Sequence, residues 1–146
     1  MCLVDCNKIE QKDDIICYKV VKNLNDVTFS SPFKIATIWE IGKQKEIKNT
    51  SISNLKKYSL YKQKVITNSH MHKIYGCAYH TFTTEEEAFD YIRILKTIYS
   101  TKLYSVLKCV IPKSSKYVYE GAFQISEDVK YKSYASQKLK PIEIIK

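Results

Sequence analysis

The chain has 146 residues, with 24 Lys or Arg against 15 Asp or Glu and a formal net charge of +9. That length predicts one domain over 1–146, able to bury roughly 68–70% of its unfolded surface without staples. A hydrophobic fraction of 45% and a charged fraction of 27% are ordinary for a globular protein, and no apolar run approaches the ~20 residues of a bilayer helix.

In chain order, residues 1–14 read as a short polar lead-in. Ile15–Lys22, "IICYKVVK", is β-branched and aromatic and predicts a strand. "NLND" is a turn, and Pro32 limits a strand in "VTFSSPF" to an edge or an end. "IATIWEIG" fits a short strand, and the Lys-rich stretch 43–57 a loop with one short strand at most. Tyr58–Ile66 alternates as a strand, and "TNSHMHK" is a loop.

Tyr75–Phe82 alternates again, with Tyr79 and Thr81 on one face and His80 and Phe82 on the other. Thr84 and Glu87 then make a capping box for a helix of about 84–100, with Ala88, Phe89, Ile92, Leu95, Ile98 and Tyr99 as its apolar stripe. Lys102–Ile111 predicts a central strand, and Tyr117–Phe123 its hairpin partner. "SEDVKYKSYASQ" reads as a loop with a possible short strand, and Lys138–Ile145 as a final strand that Pro141 places at an edge. The sum is an α+β fold: a mostly antiparallel, curved sheet of six or seven strands packed on one main helix.

Five cysteines, Cys2, Cys6, Cys17, Cys77 and Cys109, are an odd number behind an N-terminus with no signal-peptide pattern. Free thiols in a reducing cytoplasm follow, with Cys17, Cys77 and Cys109 as small buried hydrophobes. Cys2 and Cys6 lack a second pair, and His70 and His72 read as loop, so neither a metal nor another cofactor is expected. Three glycines leave no Gly-rich phosphate loop. Glu85, Glu86 and Glu87 favour the helix start through its dipole but repel an anion there.

The positive charge points to an anionic partner, although Arg93 is the only arginine. Lysine neutralises phosphate as a point charge. Twelve tyrosines stand out. Around "YVYEG" and "YKSYAS" they interleave with lysines, a pattern that suits base stacking with phosphate neutralisation and equally suits a sheet surface. His80, beside Gly76 and Ala78, either packs at the strand end or donates to a ligand.

Five stretches carry a resemblance: "DDIICYKVV", "SPF", "HTFTTEEEA", "KCVIPKSSKYVYEG" and "YASQKLKPIEII". Over Asp14–Ile145 the chain resembles a group of small uncharacterised proteins of phages and prophages of Bacteroidota and related gut bacteria. Members often have glycine before the His-x-Phe element and a Lys-Gly-Ser turn after Ile-Pro. Here Ala78-Tyr79 and Ser114-Ser115 stand instead.

That setting implies the cytoplasm of a bacterial host and, by analogy of size and charge, a sponge for the nucleotide signals of bacterial immunity. The expected function is non-enzymatic capture of a cyclic nucleotide or a cyclic ADP-ribose-type signal by a homo-oligomer, with no membrane partner. Lys108, Lys113 and Lys116 are the candidate phosphate contacts, Tyr117, Tyr134 and Trp39 the candidate stacking rings, and His80 and Ser136 the directional hydrogen-bonding groups. The alternatives are a nucleic-acid or host-protein interaction module that acts as an inhibitor, and a small nucleotide-processing enzyme with His80 as general acid–base.

Overall fold

The computed structural model describes residues 2–31, 37–47, 78–99, 103–124 and 128–145. Ten strands and one helix fall among them: β1 (Cys2–Lys8), β2 (Ile15–Asn23), β3 (Thr28–Ser30), β4 (Ile38–Glu40), β5 (Lys45–Glu46), β6 (Tyr79–Phe82), α1 (Glu85–Ile98), β7 (Tyr104–Ile111), β8 (Val118–Gln124), β9 (Lys130–Ser136) and β10 (Lys138–Ile145). The sheet order is β1-β8-β9-β6-β2-β7-β10-β5, with β3 on the far end of β2 and β4 on β3. Every pairing is antiparallel. The α+β class holds, with ten strands where six or seven were expected.

Three elements differ from the sequence expectation. The polar lead-in contains β1, which pairs with β8. Backbone groups make a ladder whatever the side chains are, so polar composition alone did not exclude it. "YKSYAS" is the seven-residue strand β9. Tyr131, Ser133 and Ala135 are buried at alternate positions and Ser136 is buried beside them, so small side chains hide the alternation. β8 does not pair back on β7 but lies between β1 and β9, because β2 and β10 occupy both edges of β7. The expected strand at 58–66 and the histidines at 70 and 72 lie outside the described residues.

The central pair β2–β7 runs for eight residues, from Ile15 opposite Ile111 to Lys22 opposite Tyr104, and its alternation makes two cores. On one face Val20, Phe82, Val106, Phe123 and Tyr131 meet Ala88, Tyr91, Ile92 and Leu95 of α1. Phe82, Tyr91 and Phe123 pack ring against ring at 5.3–5.7 Å, two of the three contacts edge-on, the arrangement ring quadrupoles favour. Thr84 caps α1 by accepting from the Glu87 backbone N–H at 3.3 Å. Glu87 itself faces the Lys132 backbone N–H, and burial raises its pKa. Ile98 and Tyr99, expected in the stripe, are 64% and 39% exposed, so the buried stripe ends at Leu95. A Thr84→Ala change is expected to cost about 1 kcal/mol, read as a shift of the urea midpoint with unchanged slope.

The opposite face carries Cys17, Val21, Leu107, Cys109, Ile111, Val118 and Leu139, with Phe29 and Trp39 packed onto them. Between β9 and β10 there is one residue, Gln137, although β6, β2 and β7 separate those strands in the sheet. Gln137 is 2% exposed and its polar groups are spent on the corner. Its N–H donates to the Tyr117 carbonyl and its carbonyl accepts from the Ile47 N–H. Its side-chain oxygen accepts from the Lys116 N–H, and its side-chain nitrogen donates to the Ile47 carbonyl, both at 3.0 Å.

Candidate functional site

Lys19 lies within this second core. On β2 it alternates with Cys17 and Val21 and stands opposite Leu107 of β7, and only 7% of it is exposed. On its other side, β6 pairs with β2 at a single position, Tyr18 opposite Phe82. Beyond that pair the ladder opens, and Lys19 Nζ donates to the His80 carbonyl at 3.0 Å. The ammonium thus bridges from β2 to a backbone carbonyl of β6.

The same nitrogen lies 5.2 Å from the centre of the Trp39 ring. Trp39 is fully buried, donates its indole N–H to Ser31 Oγ at 3.1 Å, and meets Tyr79 edge-on at 5.0 Å. Its ring face attracts a cation. Among the described residues no carboxylate forms an ion pair with Lys19. A buried charge is ordinarily paired, because its lost hydration needs replacement. Burial lowers the Lys19 pKa to about 8, while Cys109 and Cys17 act the other way. At neutral pH the group remains mostly protonated.

The neighbouring thiols are not thiolates. Burial pushes Cys17 up to about 12, more strongly than the Thr81 hydroxyl and Lys19 pull it down. Cys109 is likewise raised by burial. The described residues of the site therefore include one cation, two neutral sulfurs, a hydroxyl and aromatic walls.

The structure divides the residues singled out in the sequence. Trp39 and Tyr134 belong to the core that holds Lys19. Burial raises the Tyr134 phenol, with Glu120 and Cys17 adding to it. Ser136 alternates with Tyr134 onto this same face. Its hydroxyl is fully buried and donates to the Lys138 carbonyl at 2.9 Å, so it serves the strand crossing. His80 contributes its carbonyl, while its half-buried ring shares the α1 face with Phe82. Lys108 alternates with Leu107 and Cys109 and so lies on the face of Val106, away from Lys19.

Lys113 and Lys116 are exposed in the turn after β7. Their backbone N–H groups donate to Asp14 Oδ1 at 2.7 Å and to Gln137 Oε1 at 3.0 Å. Tyr117 is 2% exposed, beside the Tyr119 ring, so it is core and presents no free ring surface. Of the three lysines proposed from sequence, Lys108 is on the α1 face and Lys113 and Lys116 are in the turn after β7, and the cation that shares a core with Trp39 is Lys19. A signal for it existed: in "CYKVV" the alternation Cys17, Lys19, Val21 places an ammonium on an apolar face.

No family model, curated protein or solved structure matches the chain. Among the described residues no helix is long and apolar enough to cross a membrane, and no three His, Cys, Asp or Glu side chains group as a metal site.

Proposed function

We propose that this chain is a phage-type, non-enzymatic binding protein that sequesters a small anionic nucleotide, of the cyclic nucleotide or cyclic ADP-ribose class, in the cytoplasm of a bacterial host. One observation supports the reading above the others: a buried ammonium, Lys19, has a carbonyl and an indole face for company but no ion pair with a described carboxylate. A phosphate monoanion would give this ammonium a countercharge that no described carboxylate gives it, and in a low-dielectric setting that interaction is strong. The half-buried rings of Tyr79 and Tyr134 on the same side offer apolar surface to a base. The exposed Lys113 and Lys116 add to a positive field that draws anions in. In a homo-oligomer, the outer edge of β1, which pairs only with β8 among the described residues, is the natural contact.

The exposed lysines also favour a second reading, a basic surface for nucleic acid or a host protein. A single experiment separates the readings. The protein is incubated with a panel of cyclic nucleotides and NAD-derived cyclic signals, washed, heated, and the released material chromatographed. Release of an unchanged nucleotide is the expected result. A new product means an enzyme, and no retention together with salt-sensitive binding to DNA or RNA means the second reading.

A further inference from the structure

Cys17 of β2 and Cys109 of β7 stand directly opposite one another in the longest ladder of the sheet. Both thiols are free and fully buried, and both belong to the same core. Cys17 Sγ reaches across the strands to the Cys109 carbonyl at 3.8 Å, while Cys109 Sγ leans along its own strand to the Leu107 carbonyl at 3.5 Å. Directly opposed residues of an antiparallel pair have Cα atoms about 4.5–5.5 Å apart, inside the roughly 4.4–6.8 Å span of disulfides. Side-chain rotation is then enough to bring the sulfurs together, with the strands in place.

From this we propose that Cys17 and Cys109 are a redox modification site, forming a cross-strand disulfide that staples β2 to β7 when a small peroxide reaches the core. One sulfur attacks a peroxide oxygen and becomes a sulfenic acid as the O–O bond breaks and water leaves. The opposed sulfur then attacks the sulfenic sulfur and expels a second water. Two thiols and one hydrogen peroxide give one disulfide and two waters. Lys19 is the adjacent charge and favours a thiolate at each sulfur, but burial outweighs it. The first step is therefore slow and reserved for oxidants small enough to enter. This inference does not depend on the nucleotide reading.

The test uses the whole folded protein at neutral pH with hydrogen peroxide, then alkylation of remaining thiols, trypsin and mass spectrometry. The expected product links the peptides 13–19 and 109–113, is lighter by two hydrogens than their sum, and is reversed by dithiothreitol. Because the linked residues are 92 apart in sequence, the oxidised protein also unfolds at a higher urea concentration than the reduced one. Recovery of both peptides as separate alkylated thiols while the circular dichroism stays native would overturn the site. So would linkage of either cysteine to Cys2, Cys6 or Cys77, or a lower urea midpoint after oxidation.

Discussion

A Lys19→Met variant is expected to be more stable than the parent by about 1–4 kcal/mol at pH 7, because an apolar chain of similar length replaces a buried charge that forms no ion pair among the described residues. The same variant is expected to bind the proposed nucleotide about thirtyfold to a thousandfold more weakly, since a desolvated charge contact is worth about 2–4 kcal/mol. Gain of stability with loss of binding is a combination that a merely structural lysine does not produce. A Lys19 that only holds up the His80 carbonyl would destabilise the fold on removal.

The pH dependence gives a second readout of the same group. In the folded chain Lys19 gives up its proton near pH 8, and in the unfolded chain near 10.5. Below pH 8 both states hold the proton and the penalty is constant. Between about 8 and 10.5 the unfolded state binds more protons, so stability rises with pH, by on the order of 3 kcal/mol if nothing opposes it. Cys17 opposes it: its thiol ionises near 9 when unfolded and near 12 when folded, so its contribution falls from about pH 9 upward. Cys109 acts in the same direction as Cys17. The rise is therefore cleanest between pH 8 and 9. Subtracting the Lys19→Met curve from the parent curve isolates it, and the variant alone shows only the decline.

Gln137→Ala is expected to cost about 2–4 kcal/mol. It removes two part-buried hydrogen bonds, from the Lys116 N–H and to the Ile47 carbonyl, each worth about 0.5–1.5 kcal/mol, and it truncates a side chain at a buried position. Gln137→Leu keeps most of the volume without either bond, so the part of the loss it retains measures the hydrogen bonds rather than the packing. Urea unfolding of both variants checks this. A loss under about 0.5 kcal/mol for both, the size of an ordinary surface change, would show that the β9–β10 corner does not depend on this side chain.

The elements that sequence made legible were those with strong local chemistry. The strand at Ile15–Lys22 and the capped helix at Thr84 are set by β-branched runs and by a hydroxyl at the N-cap. β9 was obscured because Ser133 and Ala135 fill its buried positions. The pairing of β8 was obscured for another reason. Adjacency in sequence favours a hairpin, while long-range competition for the edges of β7 decides the outcome.

The candidate site was less legible for a related reason. Lysines near tyrosines in sequence suggested a ligand wall, but Tyr117, Tyr119 and Tyr131 are spent on core packing. The buried ammonium comes from a strand whose apolar run made Lys19 look like an interruption. Only the opening of the β2–β6 ladder after Tyr18 gives that interruption a place.

The most direct measurement is the titration of the Lys19 side chain by NMR of 13C-labelled lysine, with and without the nucleotide retained from the panel, and Lys19→Met to assign the signal. A midpoint near pH 8 in the free protein, moving upward when the nucleotide binds, is the result that a buried cation completed by an anion requires. A Lys19 signal that titrates with the solvent-exposed lysines and does not respond to any nucleotide would contradict it.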